Sequence, residues 1–130
     1  MTKDDAARPR TRAGLPGLTA CSLCAGETLG ATDAQDGGQL ARLRELAAGG
    51  VARLTLVECL DECERGDVVV VHPCAAERRR AVRPMWFERL AGEVLSAELR
   101  TWLEAGGPGR SEPPAALQPL RITHVDASGT

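Results

Sequence analysis

Residues 51–71 read VARLTLVECLDECERGDVVVV, and the fold turns on them. Across the first seven, Ala52, Leu54 and Leu56 alternate with Arg53, Thr55 and Val57. A period of two predicts a strand with one apolar face. After the Gly66-Asp67 turn come four valines, Val68 to Val71. A β-branched run without a polar side predicts a central strand buried on both faces. Between the two strands sits the pair Cys59-x-x-x-Cys63, directly after the C-terminal end of the first.

Upstream, Leu40, Leu43, Leu46 and Ala47 recur at helical spacing, with Arg42, Arg44 and Glu45 pointing outward. Asp36 is the expected N-cap and Gly49-Gly50 the stop. Residues 25–38, AGETLGATDAQDGG, read as a loop, and before them Leu18-Thr19-Ala20 reads as a first strand running into Cys21. Downstream, Pro73 closes the valine strand. Residues 74–82 form a polar hairpin loop bearing Arg78-Arg79-Arg80, and Arg83 to Phe87 form a fourth strand that Pro84 confines to an edge. A second helix starts near Ser96 as N-cap, buries Leu99, Trp102 and Leu103, and ends at Gly106-Gly107.

The order is therefore β-α-β-β-β-α, an α/β domain with a mixed four-stranded sheet. A helical crossover makes its first two strands parallel. The domain spans 17–104, between a polar N-terminal tail (1–16) and a Gly/Pro-rich C-terminal tail (105–130) in which Leu117, Leu120 and Ile122 are the residues able to fold back. Of the 130 residues, roughly 85 then carry the core. That is thin, and small domains often add a metal staple.

A net charge of −2 favours neither nucleic acid nor an anionic membrane as partner, and it marks the arginine run as a solvated surface. No apolar stretch approaches the ~20 residues of a membrane span. Nor does MTKDDAARPRTRAGLPG contain the apolar core of a secretory signal, so a cytoplasmic location is expected. In that reducing compartment paired cysteines are metal ligands or redox thiols more often than disulfides.

There are two such pairs, Cys21-x-x-Cys24 and Cys59-x-x-x-Cys63, each following one of the two parallel strands. Loops at the carboxyl ends of parallel strands share an edge of the sheet, so all four sulfurs are expected at one place. Four thiolates suit an iron–sulfur cluster or zinc, and the spacing does not choose between them. A dithiol oxidoreductase using Cys21 and Cys24 is a further reading. Against it, the redox C-x-x-C opens a helix, whereas AGETLG follows here. Four ordinary buried thiols are the bland alternative. Cys74, beyond Pro73 at the far end of the valine strand, reads as a spectator. Trp86, Phe87 and Trp102 read as core, and His72 and His124 lack a ligand's spacing. No nucleotide-binding or hydrolytic motif is present.

The segment CLDECERGDVVVVHPCAAERRRAVRPMWFERL resembles the second half of thioredoxin-like [2Fe-2S] ferredoxins. In that family a C-x-x-x-C loop precedes a glycine turn, a Val-rich strand, an exposed hairpin and an aromatic edge strand. The resemblance spans about residues 18–104 and is strongest over 56–103. It implies cluster ligation by Cys59 and Cys63, and by Cys21 and Cys24. The tight first pair departs from the wider spacing of better-known members but is similar to that of a group of bacterial ferredoxin-like, metal-binding proteins. The implied function is one-electron carriage or cluster delivery without substrate chemistry, with zinc in a structural or metal-sensing module as the alternative. Glu58, Asp61, Glu62, Glu64 and Asp67, against Arg65 alone, predict a low reduction potential and a redox partner with a basic docking surface. Members are often dimers, so the resemblance also allows a homodimer.

Overall fold

The structure, a computed structural model, describes residues 14–58 and 66–123. Strand β1 (Gly17–Cys21) occupies the middle of the sheet. A turn-rich connection with a 3-10 turn at Gly30–Thr32 leads to helix α1 (Gly38–Ala48), which returns the chain to β2 (Arg53–Val57). β1 and β2 pair in parallel, from Gly17↔Arg53 to Cys21↔Val57. Strand β3 (Val69–His72) lies antiparallel to β1 on its other side, with Ala20 opposite Val69 and Gly17 opposite His72.

The chain then forms a short helix α2 (Ala75–Arg79), strand β4 (Met85–Phe87), helix α3 (Glu93–Glu104), a 3-10 turn at Gln118–Leu120 and strand β5 (Arg121–Ile122). The result, among the described residues, is a mixed five-stranded sheet in the order β2-β1-β3-β4-β5 with three α-helices. Among the described residues no helix is long and apolar enough to cross a membrane.

Alternation along the strands sends Leu18, Ala20, Val69, Val71 and Phe87 to one face. There they form a single core with Leu43 and Leu46 of α1 and with Leu99, Trp102 and Leu103 of α3. Phe87 and Trp102 meet edge to face, with centroids 5.8 Å apart. The valines are buried on both sides, as their apolar run requires. On the other face Thr19 and His72 join by an Oγ1–Nε2 hydrogen bond of 2.8 Å.

Several expectations are corrected. The sheet has five strands rather than four, because residues beyond 104 fold back: Leu117 is fully buried and β5 pairs with β4 through Trp86↔Ile122. β4 is consequently an inner strand, and Pro84 precedes it instead of marking an edge. Residues 75–79 of the expected hairpin loop are helical; Glu77 is buried there and accepts from Arg110 Nε at 3.1 Å.

Both helix starts also move. Gly37 at φ 80° and Gly92 at φ 98° are the N-caps, conformations that Asp36 and Ser96 would adopt only under strain. Ser96 lies inside α3, where its hydroxyl accepts from Gln39 Nε2 at 2.9 Å. Arg42 is buried, not outward-facing, and its guanidinium donates to both carboxylate oxygens of Asp33 at 2.6 and 2.7 Å. That bond holds the Asp33 carboxyl below its usual range.

Candidate metal centre

Cys21 is the last residue of β1, level with Val57 at the end of β2. The ladder runs one step further, through Ser22 N donating to Val57 O at 2.7 Å. A turn then brings Cys24 back: Ala25 N donates to Cys21 O at 3.1 Å, and Glu27 N to Cys24 O at 3.2 Å. Both cysteines are about 1% exposed and neither is in a disulfide. The Cys24 thiol turns back toward β1, its Sγ donating to the Cys21 carbonyl at 3.9 Å. Burial pushes the Cys24 thiol up from its ordinary value, the Val68 backbone N–H draws it down, and Cys21 and Asp67 add to the rise.

Cys21 also reaches the other loop, its Sγ donating to the Glu58 carbonyl at 3.0 Å. On the returning side, Asp67 N donates to Cys24 O at 3.3 Å. Cys59 and Cys63 lie outside the described residues. The flanks of their segment are nonetheless fixed: Glu58 against Cys21, and Asp67 against Cys24. Among the described residues no group of three or more His, Cys, Asp or Glu side chains is placed to hold a metal ion. Cys74 is buried beyond the end of β3 that pairs with Gly17, so it sits at the opposite edge of the sheet from Cys21.

No family model, curated protein or solved structure matches the chain.

Asp67 emerges at this edge with more to do than its charge suggested. Its carboxylate accepts from Gly26 N at 2.7 Å and from Thr28 N at 2.9 Å, so both oxygens bind the turn that follows Cys24. It is 3% exposed and has φ 44°, next to Gly66 at φ 75°. Arg89 N donates to Gly66 O at 2.8 Å and Leu90 N to Asp67 O at 3.3 Å, which ties in the segment after β4. The Gly-Asp dipeptide was the only sequence signal, and it marked a turn rather than the loop that the turn would hold.

Among the described residues the donor set fits a thiophilic centre. Two buried thiols flank one tight turn, neither is consumed by a disulfide, and an exposed Leu23 lies between them in the chain at 69%. Such a pair supplies two of the four sulfurs that a tetrahedral metal asks for.

Proposed function

We propose that the chain is a thioredoxin-like, ferredoxin-like one-electron carrier holding a [2Fe-2S] cluster through Cys21, Cys24, Cys59 and Cys63. The observation that carries this reading is the anchoring of Glu58 and Asp67, which flank residues 59–65 in the chain, onto the first cysteine pair. Cys59 is covalently next to Glu58, about 3.8 Å away along the backbone. Cys63 is three residues before Gly66, a reach of at most about 10 Å. The parallel β1-β2 pair joined through α1, with β3 and β4 following antiparallel on the other side of β1, supports the thioredoxin-like part.

When bound, a [2Fe-2S] cluster supplies reversible one-electron chemistry. The chain's residues would hold and shield it. Cys21 and Cys24 are withdrawn from water, and the Val68 N–H beside Cys24 favours a charged sulfur. Exposed Glu27 and Glu58 at the rim favour a redox partner with a basic surface, in a reducing, cytoplasmic setting. The dithiol-exchange alternative is opposed by the burial of both thiols and by the raised Cys24, because exchange needs an accessible thiolate.

Anaerobic purification followed by visible absorption and analysis for iron, labile sulfide and zinc tests the proposal. Coloured protein with equal iron and sulfide supports it. Colourless protein with zinc would shift the reading to a structural or metal-sensing module, and metal-free protein would overturn both.

A further inference from the structure

We infer that Asp67 is the positioning residue of the metal centre, the side chain that fixes where the Cys24 sulfur stands. The inference rests on the proposed metal site and adds the residue that organises it. The geometry is specific. One buried carboxylate spans two amides, Gly26 N and Thr28 N, in the turn directly after Cys24. The Asp67 amide holds the Cys24 carbonyl, and the next amide along the chain, that of Val68, meets the Cys24 sulfur. Cys24 is thus gripped on its carbonyl and its sulfur, while the turn that follows it is gripped by the side chain between those two amides.

Charge is part of the design. Backbone N–H groups bound to a carboxylate make hydrogen bonds roughly twice as strong as neutral ones. An amide side chain at 67 would turn an N–H donor toward an N–H donor at one of the two positions. The left-handed backbone, held by Gly66 O and Asp67 O accepting from Arg89 and Leu90, aims the carboxylate back across the loop. Asp33 makes a useful contrast. It ties the same connection to Arg42 of α1, but its bonds do not touch the cysteine turn.

The test uses the full chain and two readouts on Asp67→Asn and Asp33→Asn. Zinc affinity is measured by competition with a chromophoric chelator. Alkylation rates of the metal-free protein are measured at Cys24, with buried Cys74 at the opposite edge as internal control. For Asp67→Asn we expect affinity to fall about 10–100-fold, the range for residues that orient metal ligands. Cys24 alkylation should accelerate about tenfold or more while Cys74 stays constant. Asp33→Asn should lower the unfolding temperature yet leave both readouts near wild type. Equal effects of the two variants, or an Asp67→Asn protein matching wild type in both readouts, would overturn the inference. Should wild type bind no metal, the functional reading fails, and the alkylation rates still decide whether Asp67 positions Cys24.

Discussion

Cys24 has the surroundings of a withdrawn thiol rather than of a working nucleophile. Its thiol is driven up mainly by burial, while one backbone N–H pulls the other way, so binding a thiophilic metal there must release a proton. Metal uptake should therefore weaken as pH falls, and proton release measured on titration with zinc checks this. His72 makes a separate prediction. Burial, then Arg53 and Arg78, hold its folded pKa below the ordinary 6.5. Between 6.5 and that lower value the unfolded chain binds more protons than the folded one, so stability rises with pH across the window. The contribution is fully present above 6.5 and is lost as pH falls through the folded value. Thermal unfolding of wild type should show this slope, and His72→Gln should flatten it. Parallel curves would refute the assignment.

Among the elements, β2 and α1 were readable from the period of their apolar residues and β3 from its unbroken valine run, whereas β1 showed only the short segment Leu18-Thr19-Ala20. The N-caps were not. Positive-φ glycines at 37 and 92 took the positions that Asp36 and Ser96 would fill in a simpler helix start. α2 escaped because AAERR is too short for periodicity and is fixed by Glu77 bonding to the distant Arg110. β5 has two residues and exists through its pairing with β4, not through its own pattern. The cysteine turn could be located from spacing, but Asp67 acts on amides some forty residues earlier, which no local motif encodes. The returning C-terminal segment has a direct test. Leu117 is wholly buried in the core, so Leu117→Ala should cost about 2–5 kcal/mol in chemical denaturation. A loss near zero would mean that residues 105–123 contribute little to the fold.

In the molecule as a whole the sheet separates two chemistries. Cys21, Cys24 and the carboxylates of Glu27, Glu58 and Asp67 gather at one edge, and His72, Cys74 and Arg78 at the other. Negative charge beside a cluster opposes an added electron, so the midpoint should lie nearer to about −400 mV than to the higher range of about −150 to +300 mV found where histidines replace thiolates. Potentiometric titration measures it, and a positive midpoint would contradict the electrostatic argument.

All of this assumes that two loops far apart in sequence hold one inorganic centre together. Metal content of the single variants Cys21→Ser and Cys59→Ser, prepared beside Cys74→Ser, addresses that assumption most directly. One shared centre predicts that Cys21→Ser and Cys59→Ser each lose most of the bound metal while Cys74→Ser keeps the wild-type amount. If Cys59→Ser binds as wild type does while Cys21→Ser does not, the two pairs serve separate purposes and the shared centre is refuted.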